Sequence, residues 1–502
     1  MSPEATGILD RRSSGVLLHP TCLPGPHGSG DLGPAAYHFV DWLAKAGQSL
    51  WQVLPLNPVG PGNSPYQSVS TFAGSPLLVD LSSMVDRGWL RWEPDPGYER
   101  RRCDYARVAP RRMERLRMGW QGFSQTAAPA ERQELATFCE QNRHWLDDYS
   151  LFMTLDGLYG ATWNHWPAEY AQRNPDALEN LRQQRSQELE FWCFVQWQFM
   201  AQSQGLRKYA RRCGVKIVGD APIFVAHHSA DVWANTDQYL LNPDGEPAAV
   251  AGVPPDYFSP TGQRWGNPLY NWTAMKADGY AWWRSRVAHQ LKCVDLLRLD
   301  HFRGFEAYWE VPASQDNAVI GQWRAGPGED LFDALVQALG PLPLVAEDLG
   351  LITPEVTALR LKYGFPGMRI LQFAFGDSSG NPYLPHNYQP QTVAYTGTHD
   401  NNTAVGWWRA LDRAQREAVL LYLGPEAETA IHWAMIRSLS QSVARTVIHP
   451  FADVLGLDER HRMNIPGQAQ GCWEWRFEWS QVADVAAAQL AQITHAHGRC
   501  SP

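Results

Sequence analysis

The sequence lacks any run of about 18 apolar residues, the length that a membrane-spanning helix needs. Its first residues, MSPEATGILDRRSSG, also lack the apolar core of a secretory signal peptide. There is no basic excess, because 43 Lys and Arg stand against 52 Asp and Glu and leave a net charge of −9. These absences predict a cytoplasmic protein that has no membrane partner and no nucleic-acid partner.

Paired cysteine motifs are also lacking. No two cysteines form a CxxC pair, and none has a Cys/His spacing typical of a metal site. The pattern is that of a reduced, intracellular protein without structural disulfides. The eight positions are Cys22, Cys103, Cys139, Cys193, Cys213, Cys293, Cys472 and Cys500.

One glycine motif, GPHGSGDLG, imitates a nucleotide-binding loop. Gly28, Gly30 and Gly33 match GxGxxG, follow an apolar run and precede a helical pattern. However, three prolines separate the run from the glycines, and the next apolar run ends in Pro-Leu-Asn without an acid that would bind a ribose. We therefore do not expect nucleotide binding.

Short apolar runs recur along the chain and are separated by segments long enough for helices. Such runs are typical of strands that are buried on both faces of a parallel sheet, and eight of them predict an α/β protein with a (β/α)8 barrel. The predicted strands are Gly15–His19, Leu50–Leu54, Val215–Gly219, Val294–Leu299, Leu342–Ala346, Met368–Phe373, Thr392–Tyr395 and Ala444–His449.

Helical patterns lie between several of these strands, and two long segments interrupt the repeat. Residues 82–209 are dense in Arg, Glu, Gln and Trp and predict a helical insertion, which divides the chain into 1–81, 82–209 and 210–502. Residues 225–271 are rich in Pro, Gly, Asn and aromatics and predict a long loop on the functional rim. The predicted helices are Ala35–Ala46, Ala281–Lys292, Asp330–Leu339, Pro354–Lys362 and Ser480–His497.

Three acids follow apolar runs, in the segments LLRLDH, LPLVAED and AYTGTHD. They are Asp300, Glu347 and Asp400. Because the carboxyl ends of barrel strands meet on one rim, these acids are expected to lie together although they are distant in sequence. Two carboxyl groups in one cleft suffice to cleave a glycosidic bond.

Arg298 and Asp300 should point the same way, because side chains alternate between the two faces of a strand. The guanidinium is expected to keep Asp300 ionised, as a nucleophile requires. The alternative is a purely structural Arg–Asp pair.

Glu347 follows a run of apolar residues, and a desolvated carboxyl has a raised pKa, which suits a general acid. Alternatively, Glu347 or Asp348 caps the following helix, and Asp400 is only a turn residue. His301 and His399 adjoin candidate acids and are able to bond sugar hydroxyls.

Taken together, these segments resemble the amylomaltases, or 4-α-glucanotransferases, of glycoside hydrolase family 77 in the α-amylase superfamily. The resemblance runs nearly end to end. The segments that carry it are RSSGVLLHPTCLPGPHGSGDLG, NSPYQSVSTFAGSPLLVDL, WLDDYSLF, VGDAPIFVAHHSADVW, VAGVPPDYFSPTGQRWGNPLYNW, RLDHFRGF, VAEDLG, YTGTHDNNT and RMNIPG.

The resemblance implies that Asp300 is the nucleophile, Glu347 the acid/base and Asp400 the transition-state stabiliser. It further implies transfer between α-1,4-glucans such as maltooligosaccharides, starch or glycogen, through a covalent glucosyl-enzyme and without a metal or cofactor. Retention of the anomeric configuration requires the two reacting carboxyl groups to lie about 5 to 5.5 Å apart. The implied substrate-binding residues are Tyr66, Arg298, His301, His399, Asp256, Tyr257, Phe258, Trp265 and Asn464.

Two other functions stay open at this stage. An α-1,4-glucan hydrolase would use the same three acids and differ only in its acceptor. A glucan-binding protein without catalysis is a further alternative, although binding alone would tolerate amides at these positions. The segment Val250–Phe258, implied to arch over the site and exclude water, favours transfer over hydrolysis.

Overall fold

A closed parallel barrel organises the chain. The computed structural model describes residues 9–255, 259–468 and 470–500. The barrel strands are Ser13–Leu17 (β1), Leu50–Gln52 (β2), Lys216–Pro222 (β3), Leu296–Asp300 (β6), Leu344–Ala346 (β9), Gly367–Ile370 (β10), Thr392–Tyr395 (β11) and Thr446–Pro450 (β12). A separate sheet contains Ala249–Val253 (β4), Gln263–Pro268 (β5), Ala307–Pro312 (β7) and Gln322–Ala325 (β8).

The barrel strands pair in chain order, and β12 returns to pair with β1. The remaining gap between β9 and β10 is bridged where the amide of Ala346 donates to the carbonyl of Pro366 at 3.0 Å. Strands such as β1 and β11 are buried along their whole length, because side chains on one face fill the barrel and those on the other meet the helices. The predicted (β/α)8 barrel is therefore confirmed.

The predicted strands overlap the observed ones, with ends that differ by up to three residues. Two runs differ by three residues at the carboxyl end: Val215–Gly219, whose strand continues to Pro222, and Met368–Phe373. Its strand stops at Ile370, and Leu371–Phe373 forms a 3-10 turn instead. An apolar run does not mark this end, because the turn is as buried as the strand that precedes it.

Helices cover the outside of the barrel. Within the described residues, no helix combines the length and the apolarity needed to cross a bilayer. The helices are Pro34–Lys45 (α1), Ser82–Asp86 (α2), Tyr105–Thr126 (α3), Pro129–Tyr159 (α4), Ala168–Ala171 (α5), Pro175–Gln184 (α6), Ser186–Arg212 (α7), Ala230–Ala234 (α8), Trp272–Ala277 (α9), Ala281–Cys293 (α10), Gly328–Leu339 (α11), Pro354–Lys362 (α12), Ala404–Ala410 (α13), Arg413–Leu423 (α14), Ala427–Gln441 (α15), Phe451–Val454 (α16) and Asp484–Ala496 (α17).

The segment between β2 and β3 carries α2 to α7, as the helical pattern predicts. Its last helix, α7, is tied to the loop after β2 through Gln196, whose side chain accepts from the amide of Gly74 at 2.7 Å and donates to the carbonyl of Gly74 at 3.0 Å. The division into residues 1–81, 82–209 and 210–502 stays a prediction, and α7 runs three residues past its second boundary.

The expectation of a loop over residues 225–271 is wrong in part. β4 and β5 form a hairpin there, and β4 also pairs with β7, so that β5, β4, β7 and β8 make an antiparallel sheet. Residues 250–253 of the supposed arching segment lie in β4, where Val250 and Ala251 are buried against the sheet. The strands are short and rich in Gly and Pro, so their pattern alone does not distinguish them from a loop.

The glycine motif has a packing role. A Cβ on Gly30 would lie 2.1 Å from the carbonyl oxygen of Pro20, so only glycine permits this approach of two backbones. Gly33 precedes the first residue of α1, and its amide donates to Asp31. These close contacts give the glycines a packing role, and the absence of nucleotide binding stays a prediction.

The C-terminal segment is fastened to the amino ends of the strands by Arg499, which is fully buried. Its guanidinium donates to the carbonyls of Ser440, Ser13, Arg445 and Ala444 at 2.8 to 3.2 Å. One side chain thereby provides hydrogen bonds to carbonyl groups at the start of the first barrel strand and just before the last one.

We predict that Arg499→Ala lowers the free energy of unfolding by about 2 to 5 kcal/mol, because several buried carbonyls lose their donor. Urea unfolding followed by tryptophan fluorescence measures this change. Arg413→Ala is the matched control, since that side chain is 93 % exposed and its pair with Glu417 contributes little. Equal stability of both variants would contradict the anchoring role.

Candidate active site

An open cleft of about 320 Å³ lies at the carboxyl ends of the barrel strands. The strands end there, and the polar residues that follow them turn into the cleft, as in other barrels of this kind. The residues that line it include Tyr66, Gln67, Trp265, Asn267, Arg298, Asp300, His301, Glu347, Leu349, His399, Asp400, Asn464 and Trp473.

Asp300, the last residue of β6, forms an ion pair with Arg298, whose Nη2 lies 2.8 Å from Asp300 Oδ1. The other terminal nitrogen of Arg298 donates to both oxygens of Asp220 at 2.7 and 2.9 Å. Asp220 and Arg298 are register partners on β3 and β6, so their side chains point to the same face. Two carboxylates therefore hold one buried guanidinium beside the cleft.

Glu347 follows β9 directly and lies against the end of β6. Its Oε2 accepts from the amide of His301 at 2.7 Å, and its Oε1 accepts from the amide of Leu349 at 2.9 Å. Burial and the nearby negative charge of Asp300 raise the pKa of Glu347 to about 7, against the smaller opposing effects of Arg298 and the two amides. This carboxyl is therefore able to hold or release a proton near neutral pH.

His301 has a left-handed backbone conformation, with φ at 52°. This turn immediately after Asp300 is what directs its amide at Glu347. Within the described structure its Nε2 is buried without a hydrogen-bond partner, and burial lowers the pKa of His301 to about 4. A neutral imidazole with one unpaired nitrogen is suited to hydrogen-bond a hydroxyl group.

Asp400 lies in the turn after β11, and its side chain is 47 % exposed to the cleft. Asn464 donates to its Oδ1 at 2.7 Å, and Arg462 donates to its backbone carbonyl at 2.9 Å. The amide of Asn464 also donates to the carbonyl of His399 at 3.1 Å. The segment around Asn464 thereby fixes the position of Asp400.

Aromatic rings form one wall of the cleft. The ring of Tyr66 stacks on His399 with centroids 5.2 Å apart, and Trp473 lies 5.8 Å from both rings. The hydroxyl of Tyr66 donates to Asp220 at 2.7 Å, which ties the wall to the buried ion pair. Trp265 on β5 meets His301 edge-on at 4.9 Å. Flat apolar faces beside carboxylates suit the C–H faces of sugar rings.

The structure brings together in one cleft the three predicted acids and the predicted contacts Tyr66, Arg298, His301, His399, Trp265 and Asn464. The predicted contacts Asp256, Tyr257 and Phe258 lie outside the described residues. Sequence reasoning did not identify Asp220 and Trp473, which also belong to the site. Asp220 had a signal, since it stands near the end of the third strand in VGDAP, whereas Trp473 follows a glycine-rich loop with no recognisable pattern.

A family model described as 4-α-glucanotransferase, glycoside hydrolase family 77, matches residues 18–482. The chain belongs to this family. It is 46% identical over 496 residues to a 4-α-glucanotransferase of Thermus thermophilus, which covers 97% of this chain and 99% of the relative. It is likewise 46% identical over 499 residues to one of Synechocystis, with 98% and 99% covered.

A solved structure supports the same family assignment. An amylomaltase of Streptococcus agalactiae in complex with acarbose superposes with a TM-score of 0.94 at 36% identity, covering 98% of this chain and all of that one. The chain is accordingly an enzyme with 4-α-glucanotransferase activity. The predicted family and fold are confirmed.

The raised pKa of Glu347 links its proton to stability. The folded state keeps this proton to a pH of about 7, whereas an unfolded glutamate loses it near 4.5. Its contribution is therefore fully present below pH 4.5 and is lost as the pH rises to 7.

We predict that Glu347→Gln gains stability relative to the wild type by about 2 to 3 kcal/mol between pH 4.5 and pH 8. Parallel urea titrations at several pH values measure the difference. Glu355→Gln, an exposed change in α12, should show no such gain. A difference that is independent of pH would contradict the raised pKa.

Proposed function

We propose that this enzyme transfers α-1,4-glucan segments between maltooligosaccharides, or between starch or glycogen chains, by a retaining double displacement. In this proposal Asp300 is the nucleophile, Glu347 the general acid and base, and Asp400 the stabiliser of the transition state. Tyr66, Arg298, His301, His399, Trp265 and Asn464 bind the glucan or hold the reacting groups.

The observation that carries this proposal is the contrast between two adjacent carboxyls. Asp300 forms an ion pair with the guanidinium of Arg298 at 2.8 Å. Glu347 is desolvated, which favours its protonated form. A charged nucleophile beside a neutral acid is the arrangement that retaining glycosidic cleavage requires.

In the first step Asp300 attacks the anomeric carbon while Glu347 gives its proton to the departing glycosidic oxygen. Arg298 lies near Oδ1, so we assign the attack to Oδ2. A covalent glucosyl-enzyme forms, and the shortened glucan leaves with a new 4-hydroxyl. Asp400, partly exposed to the cleft, faces the positive charge that develops on the sugar.

In the second step Glu347, now ionised, takes the proton of a 4-hydroxyl on a second glucan. The oxygen of that hydroxyl attacks the anomeric carbon, and Asp300 departs. The amides of His301 and Leu349 hold Glu347 in one position through both steps, because each bonds a different oxygen. The aromatic wall of Tyr66, His399 and Trp473 offers the sugar rings a surface from which water is displaced.

We predict that maltotriose alone yields glucose and a ladder of longer glucans, while the total of reducing ends stays almost constant. Transfer conserves reducing ends, because each cleaved bond is remade on an acceptor. Chromatography of the products together with a reducing-end assay measures both quantities. A rise of reducing ends in step with substrate loss would show hydrolysis instead.

We predict that Asp300→Asn and Glu347→Gln each lower kcat by several orders of magnitude, because each removes a group that reacts in the transition state. Steady-state rates on maltotriose, with circular dichroism as a check of folding, measure the loss. Asp316→Asn, an exposed change on the β7–β8 connection, is the matched control and should keep its rate.

Azide separates the two roles. With an α-maltosyl fluoride donor, Asp300→Ala plus azide should give the β-maltosyl azide, because azide then attacks in place of the nucleophile. Glu347→Ala plus azide should give the α-maltosyl azide, because azide intercepts the covalent intermediate. The opposite stereochemistry would exchange the assigned roles, and loss of less than about tenfold in kcat would refute them.

A further inference from the structure

Two cysteines that are distant in sequence meet in the helical segment. Cys139 lies on α4 and Cys193 on α7, and both line one cavity between these helices. Both side chains are half-buried, so reagents reach them without unfolding. Sequence spacing gives no hint of the pair, because α4 and α7 come together only when the helices pack.

The pair opens into a cavity of about 390 Å³ between the helices. The cavity is lined by the cationic residues Arg132 and Arg182 and by the acidic residues Asp147 and Glu190. A small molecule that carries carboxylate and ammonium groups has complementary partners there.

The two neighbouring thiols are unequal. Interaction with Cys193 lowers the pKa of the Cys139 thiol, whereas interaction with Cys139 and burial raise that of Cys193. The thiolate is the nucleophilic form of cysteine, so Cys139 is suited to attack and Cys193 to follow.

The other cysteines with resolved shifts differ. Burial raises the pKa of Cys22 to about 12 and that of Cys103 to about 11, and both are closed off from solvent. Cys293 is also buried, with its sulfur 3.7 Å from that of Met200. These three thiols are protonated and inaccessible, so they do not compete with the α4–α7 pair for a reagent.

We propose that Cys139 and Cys193 form a thiol–disulfide exchange site that accepts a small, charged disulfide of the class RSSR. The Cys139 thiolate attacks one sulfur of RSSR, which forms a mixed disulfide and releases one RS⁻. Cys193 then gives up its proton and attacks Cys139, which releases the second RS⁻. The protein dithiol is oxidised by two electrons to a disulfide, RSSR is reduced, and two RSH result after protonation.

The product joins α4 to α7 covalently. These are the two longest helices of the segment between β2 and β3. Helix α7 also carries Gln196, which is hydrogen-bonded to Gly74 in the loop after β2. A crosslink between them restricts the unfolded chain, so the oxidised protein should be more resistant to heat.

The test uses the full-length, reduced protein equilibrated with glutathione and glutathione disulfide in fixed ratios, followed by alkylation and peptide mass spectrometry. We expect a Cys139–Cys193 crosslink with two hydrogens lost, and a thermal midpoint a few degrees above that of the reduced protein. Cys193→Ser should trap glutathione on Cys139, because no second thiol resolves it. Cys139→Ser should react at Cys193 at least about tenfold more slowly.

Cys213→Ser is the matched control, since Cys213 is also half-buried but should leave the crosslink unchanged. Two results would overturn the proposal. One is equal, independent glutathionylation of Cys139 and Cys193 in the wild type without a crosslink. The other is alkylation of both thiols at every redox ratio, with no reaction of either with glutathione disulfide.

Discussion

The cleft is built around the buried guanidinium of Arg298. A cation removed from water is costly unless opposite charge and hydrogen bonds compensate it, and here Asp220 and Asp300 do so from neighbouring positions. The same pairing fixes the nucleophile proposed for the reaction, since Asp300 is held at one oxygen. Through Asp220 the constraint extends to Tyr66, and from Tyr66 to the stacked His399.

Glu347 shows how one rim gives two carboxyls different properties. Among the described residues no guanidinium is bonded to it, and its oxygens accept from two backbone amides. Burial and the charge of Asp300 therefore dominate and raise its pKa to about 7. The left-handed turn at His301 links the two groups physically, because it follows Asp300 in the chain and presents its amide to Glu347.

The antiparallel sheet and the helical segment, which are inserted into the barrel, have different roles. The antiparallel sheet that contains β5 brings Trp265 to the cleft, where it meets His301. The helices between β2 and β3 support the rim through Gln196 and hold the proposed dithiol of Cys139 and Cys193 away from the cleft lining. Substrate contact and thiol chemistry are thus assigned to separate parts of one chain.

The barrel could be predicted from the apolar runs, because strands buried on both faces must be apolar, and the three candidate acids could be found because each follows such a run. Alternation along β6 was enough to predict Arg298 and Asp300 on one face. That Asp220 also pairs with Arg298 emerges only from the folded chain, since the register between two strands cannot be read from either strand alone. The tertiary structure also decided the strand at β4 and the meeting of Cys139 with Cys193, because both depend on contacts between segments that carry no local pattern of their own.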